Sequence, residues 1–158
     1  MTPSQTLPPA GFFRRLAALF YDALIVIAIE MIAGGIVIAI LEALFAAGLI
    51  TYGNYVDVSD LLTNHPLWSP LYSLYLVLTG CYFFIFFWTR AGQTLGMRAW
   101  KLRIQNEDGS AIRWRQAVLR LAVAGFGLAN IMALVDPKKR GLHDLVAKTQ
   151  VVVLPKAN

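Results

Sequence analysis

Arg15 and Asp22 open a long apolar run in which the only other formal charges before Ile50 are Glu30 and Glu42. An ionised carboxylate inside hydrocarbon costs roughly 3 kcal/mol on insertion scales, so Asp22 needs a partner, a proton or a water-filled cavity. Two chemistries follow. A membrane carboxylate can alternately hold a proton or a cation, or it can pair with an arginine and lock helices together. Seven residues place Arg15 and Asp22 on one helical face, about 10 Å apart along the axis, too far for a direct pair. Arg15 is then expected to snorkel towards headgroups, and the partner of Asp22 to come from elsewhere. Arg120 is the best-placed candidate, at the start of a later apolar segment, and Arg140 the next. Glu30 lies deeper in the same run and is a second candidate carboxylate. Near the C-terminus Gly141 reads as the start of a short helix, with Asp144 capping it or accepting from Arg140. Arg15, Asp22, Glu30, Arg120, Arg140 and Asp144 are therefore the candidate polar network, serving either ion and proton chemistry or structure.

Other chemistries lack their residues. The histidines are His65 and His143, read onto opposite sides of a membrane, and the single cysteine, Cys81, lies in an apolar span. Neither a metal centre nor a disulfide framework is expected. Gly92-Gln93-Thr94-Leu95-Gly96 lacks the lysine and spacing of a phosphate loop and reads as a turn off the preceding span. With no nucleophile–base pair on one side, an enzyme is not expected, nor is a cofactor.

The elements that must position these residues are membrane helices. Hydrophobic residues make up 58% of the chain and charged ones 15%, with a mean hydropathy of +0.59, values of the membrane class. The net charge of +5 comes from basic residues beside apolar spans, with no nucleic-acid recognition motif, so the partner is a bilayer and not a nucleic acid. Leu16 to Ile50 would run about 52 Å as one helix, against a hydrocarbon core of about 30 Å. A single tilted helix competes with a hairpin broken at Gly34-Gly35. The loop Thr51–Pro66 holds Asp57 and Asp60 but no Lys or Arg, whereas Arg90, Arg98, Lys101, Arg103, Arg113, Arg115 and Arg120 follow the next span. Positive-inside topology then requires an odd number of crossings before Thr51, which selects the single helix. Gly35, Ala39, Ala43 and Ala47 form a small-residue stripe along it, suited to close helix approach or simply alanine-rich.

The second span is Leu67–Thr89, with Trp68 and Trp88 as interfacial anchors about 30 Å apart. Beyond it, Trp100–Ile104, the turn Asn106-Glu107-Asp108-Gly109 and Ala111–Trp114 read as a β-hairpin. Thr149–Leu154 reads as a further strand, with Leu102–Ile104 expected to pair with Val151–Val153. Val118–Val135 is apolar but short, interrupted at Gly125 and Gly127, and flanked by basic residues on both sides. A re-entrant or surface-lying hairpin and a third crossing both remain open for it.

Arg15, Asp22, the middle stretch Gly92-Gln93-Thr94-Leu95-Gly96-Met97 and the late Gly141-Leu142-His143-Asp144 together resemble the RDD family of small membrane proteins, named for one arginine and two aspartates. The resemblance runs from Gly11 to Val153 and includes Arg15-Leu16-Ala17-Ala18 and the closing Thr149–Val153. It makes Arg15 the family arginine and Asp22 and Asp144 the two aspartates. It also implies a membrane role, which for some members is thought to be exchange of monovalent cations for protons. The segment from Arg120 to Asp136 is shorter than in many relatives, leaving less room for a third span.

The expectation is an α-helical polytopic protein of a bacterial-type inner membrane, N-terminus in the cytoplasm. Residues 1–11 form a disordered tail and not a cleavable signal peptide. Residues 12–154 form one membrane domain, with spans near 16–41, 67–89 and 118–135 and a small cytoplasmic β-hairpin or sheet. Three such segments cannot enclose a pore alone, so transport implies a homo-oligomer binding a monovalent cation or proton. A non-transporting scaffold or accessory subunit, with Arg15, Asp22 and Asp144 as locks, is the alternative.

Overall fold

The computed structural model describes residues 7–155. In element order the chain forms α1 (Phe12–Ala46), α2 (Val58–Asn64), α3 (Trp68–Arg90), α4 (Leu95–Ala99), β1 (Leu102–Asn106), α5 (Trp114–Ala124), a 3-10 segment (Gly125–Leu134), α6 (Leu142–Ala147) and β2 (Thr149–Val153). Two helices are long and apolar enough to cross a membrane, α1 with 35 residues and α3 with 23. α1 is one uninterrupted helix through Gly34-Gly35, as the charge argument requires. Leu24, Ile27, Met31, Ile32, Ile36 and Ile40 stand exposed along it. In lipid such a surface is solvated, and the helix closes every backbone hydrogen bond within itself.

The chain divides into two compact units: Ile25–Tyr82, and the residues up to Leu24 together with those from Phe83. In the Ile25–Tyr82 unit, α1 and α3 approach closely at glycines. A Cβ on Gly34 would lie 2.6 Å from the Tyr72 hydroxyl, and one on Gly80 would lie 3.0 Å from Glu30 Oε1. α2, absent from the sequence reading, is capped by Asp57, whose Oδ1 accepts from the Asp60 N–H at 2.8 Å. Its Val58, Leu61 and Leu62 are buried with Tyr52. The stripe residues Gly35, Ala39 and Ala43 are exposed.

The second unit holds the sheet. β1 and β2 pair antiparallel, Leu102 opposite Val153 and Ile104 opposite Val151, the pairing read from the sequence. The expected hairpin does not form. The Asn106–Gly109 turn is present, with Asn106 N–H donating to Ser110 O at 2.9 Å. After it the chain enters α5 instead of a strand. The Gln116 side chain draws it there by accepting from the Arg113 N–H at the helix start, at 3.0 Å. The tail expectation also needs correcting: residues 1–6 lie outside the described residues, but Pro8–Ala10 are ordered against β2. Val153 N–H donates to Pro8 O at 2.8 Å and Ala10 N–H to Val151 O at 2.9 Å. The backbone thus satisfies the exposed edge of a two-stranded sheet.

Ala10, Ala18, Met97, Leu102, Ile104 and Val151 form the core of this unit. Trp88 belongs to it as well, only 9% exposed, so its ring is a core element and not a lipid-facing anchor. α5 ends at Gly125, whose left-handed φ of 50° turns the chain. The arms on either side, Trp114–Ala124 and Gly127–Leu134, meet at 86°. The break falls where the sequence places it, at the Gly125–Gly127 hinge.

Candidate functional site

The first three turns of α1 put Arg15, Ala18 and Asp22 on one face, all buried. They serve two separate polar clusters, both within the unit that holds the sheet.

The first centres on Asp144, which is 0% exposed. It stands at the third position of α6, where Oδ2 accepts from the Gly141 N–H at 2.8 Å. Arg15 Nη1 donates to the same oxygen at 2.6 Å. Arg120 Nη1 donates to Oδ1 at 2.5 Å and also to the Thr149 hydroxyl. Arg15 is tied down further, its Nε donating to Ala10 O at 3.1 Å and its Nη2 to Lys139 O at 2.8 Å. The Arg120 guanidinium lies 5.4 Å from the Trp88 ring centroid, a cation–π contact in the core. Two guanidiniums around one carboxylate leave surplus positive charge. Burial pushes Asp144 up, but Arg120 and Arg15 outweigh it and hold the carboxyl at about 2. Both its oxygens are committed.

His143 Nε2 sits 3.4 Å from Asp144 Oδ1. Its burial, reinforced by Arg120, lowers it from 6.5 to about 4, so it is neutral at physiological pH. The unfolded chain therefore holds more protons than the native one between pH 6.5 and 4, and stability falls as pH drops through that window. The loss amounts to about 3 kcal/mol at 1.36 kcal/mol per pH unit. Asp144 adds its own loss only below 3.8, as pH approaches 2. Melting temperatures of detergent-solubilised protein should decline from pH 7 to 4.5, and His143→Gln should flatten that decline.

The second cluster centres on Asp22. Thr94 caps α4, its Oγ1 accepting from the Met97 N–H at 3.2 Å. The same hydroxyl donates to Asp22 Oδ2 at 2.5 Å, and the Gly96 N–H donates to Oδ1 at 2.8 Å. Only glycine permits this. A Cβ at position 96 would overlap the Ala18 carbonyl oxygen and come within 2.9 Å of Asp22 Cγ. The turn after α3 is thus a cradle for the carboxylate. Asp22 also lines a cavity of about 80 Å³, together with Arg15, Trp88, Arg120, Asn130 and His143. That is room for several waters. Asn130 donates its amide to Gly127 O at 3.2 Å, which leaves its side-chain carbonyl uncommitted among the described residues.

The expected Asp22–Arg120 pair is not formed, because Arg120 is taken by Asp144 and Thr149. Arg15 does not snorkel; it is 5% exposed and bound to Asp144. Arg140 joins neither cluster. It pairs with Asp136, Nε to Oδ2 at 3.0 Å, with Glu107 3.8 Å away. That hydrogen bond holds the Asp136 carboxyl below the usual carboxylate range. Glu30 lies in the Ile25–Tyr82 unit, half-buried, its Oε2 without a partner among the described residues. Thr94, Gly96, Gly141 and Thr149 are the site residues that the reading of charges missed. Their signal was the three short motifs that hold them, Gly92–Met97, Gly141–Asp144 and Thr149–Val153.

The RDD family profile matches residues 9–148, which include Arg15, Asp22, Thr94, Gly96, Arg120 and Asp144. The chain belongs to the RDD family. A Bacillus subtilis (strain 168) relative, named uncharacterized protein YxaI, is 28% identical over 151 residues, covering 91% of this chain and 97% of its own. No solved structure matches. With two apolar helices and a bent third pair, this RDD chain is a multi-pass membrane protein. Arg15 and Asp144 are partners in one ion pair, and Asp22 stands apart in a hydrogen-bonded cradle.

Proposed function

We propose that this protein exchanges protons for a monovalent cation in the inner membrane, that Asp22 is the exchanging carboxylate, and that it works as a homo-oligomer. The observation that carries the reading is Asp22 itself. It lines a water-sized cavity and has neutral donors but no cationic partner among the described residues. Each oxygen accepts one hydrogen bond, so each keeps a lone pair for a proton or a cation. Asn130 lines the same cavity and supplies the kind of hard oxygen that a small monovalent cation prefers. Arg15, Arg120 and Asp144 hold the cradle in place and carry no ion. Glu30 is a secondary proton site, and Arg140 is peripheral.

The proposed orientation rests on charge. Among the described residues, thirteen Lys and Arg fall in the unit that holds the sheet, against five acidic ones, while Ile25–Tyr82 carries only Glu30, Glu42, Asp57 and Asp60. Positive-inside topology puts the basic unit and the N-terminus in the cytoplasm. Residues 12–154 then form one RDD-type membrane domain with spans near 16–41 and 67–89.

In reconstituted vesicles, a monovalent cation gradient should drive proton movement with wild-type protein and none above background with Asp22→Asn at matched incorporation. Equal flux from the two proteins would refute the assignment. A scaffold or accessory-subunit reading is favoured by one observation, the commitment of the fully buried Asp144 to two guanidiniums and a backbone N–H. It predicts that wild-type vesicles move no ions and that Asp22→Asn lowers abundance.

A further inference from the structure

We propose that the elbow formed by α5 and the 3-10 segment lies in the plane of the membrane interface and binds anionic phospholipid, in place of a third crossing. Its outer surface is apolar and uncovered. Trp114 is 63% exposed and Val135 77%, with Val118, Leu119, Leu128 and Ile131 exposed between them. Large apolar side chains left exposed in this number mark a surface that meets lipid or protein. Basic residues stand at both ends, Arg113 and Arg115 at the start of α5 and Lys138 and Lys139 after the 3-10 segment, all exposed. None of the four has a carboxylate partner among the described residues, and Arg115 instead stacks 5.6 Å from the Trp114 ring. An apolar face flanked by Lys, Arg and an exposed Trp is the composition of an in-plane interfacial helix.

Three features oppose a crossing. The 86° bend leaves arms of about 16 Å each, short of a core of about 30 Å. Arg120, on the inner face of α5, is fixed to Asp144 of α6 and to Thr149 of β2, which ties that arm to the short helix and the sheet. A crossing would also carry one basic flank to the outer side, against the positive-inside rule. Charge further decides between lipid and a second copy of the chain. Lipid phosphate complements the four unpaired cations, whereas a second elbow would bring four more positive charges to the contact.

The test uses the full chain in nanodiscs of equal phosphatidylcholine and phosphatidylglycerol, with co-purifying lipid measured by native mass spectrometry. Each basic residue near an anionic surface is worth about a fivefold change. Wild-type protein should therefore retain phosphatidylglycerol over phosphatidylcholine by at least about fivefold, and Arg113→Gln/Arg115→Gln/Lys138→Gln/Lys139→Gln should retain them about equally. On a Cys81→Ser background in sealed vesicles, Arg113→Cys and Lys139→Cys should react with an impermeant thiol reagent from the same side. The wild-type lipid ratio and the labelling stand even if the quadruple variant fails to fold. No lipid preference in the wild type, a preference retained by the variant, labelling from opposite sides, or efficient Leu128→Cys cross-linking between copies would each overturn the proposal.

Discussion

Asp144→Asn should deplete the protein from the membrane fraction and lower its melting temperature in detergent, while Arg140→Gln should leave both nearly unchanged. The difference follows from burial. Asp144 is 0% exposed and answers two guanidiniums that are themselves 5% and 2% exposed. Removing the carboxylate charge strands Arg15 and Arg120 facing each other with nothing to neutralise them. Breaking a buried pair in this way costs about 3–5 kcal/mol, a large part of the 5–15 kcal/mol that holds a typical domain together. Arg140 and Asp136, by contrast, are a partly buried pair whose side chains keep 25% and 13% exposure, so a charge left alone there still reaches water and costs far less. Arg120→Met combined with Asp144→Leu should recover part of the loss, because it removes a stranded charge together with its partner. A double variant no better than Asp144→Asn alone would show that the hydrogen bonds from Gly141 and to Thr149, more than charge balance, hold this region.

Gly96→Ala should abolish exchange and destabilise the protein by about 1–3 kcal/mol, the usual range for overpacking a tight core. The new methyl would meet the Ala18 carbonyl oxygen and the Asp22 carboxylate at once, the latter at 2.9 Å. The Ala18 carbonyl lies in the second turn of α1 and cannot move aside without breaking the helix, so α4 must shift away. With it go the Gly96 N–H and the Thr94 hydroxyl, the two donors that position Asp22. Gly35→Ala is the matched control, since a Cβ there meets nothing within 4 Å. Flux assays and melting curves on the pair separate loss of the cradle from a general intolerance of alanine in this protein.

Much of the fold is readable from the residues because membrane physics is blunt. A long apolar run must close its hydrogen bonds as a helix, and the placement of Lys and Arg selects one helix over two for Phe12–Ala46. The β1–β2 pairing is equally legible, from a short alternating segment around Leu102–Ile104 and the β-branched run Val151–Val153. The Ala111–Trp114 strand failed for a local reason. Its turn signal is real, but β2 and Pro8–Ala10 complete the sheet, and Gln116 starts a helix at the position where a second hairpin strand would run. At the site, charge identifies Arg15, Asp22, Arg120 and Asp144 but matches them wrongly. Arg120 is 24 residues from Asp144, and only the fold decides which aspartate it meets. Asp22 is held by a hydroxyl and a backbone N–H, donors that carry no charge and leave no mark in a search for ion pairs.

Exchange at Asp22 requires that its carboxyl give up a proton when a monovalent cation arrives. Infrared difference spectra of membrane-reconstituted protein, switched between sodium and choline at constant pH, measure that directly through the protonated-carboxyl band. Wild-type protein should lose one such band on adding sodium, the change should vanish in Asp22→Asn, and it should persist in Glu30→Gln. A sodium-induced band that survives in Asp22→Asn, or its absence from active wild-type protein, would contradict the assignment of Asp22.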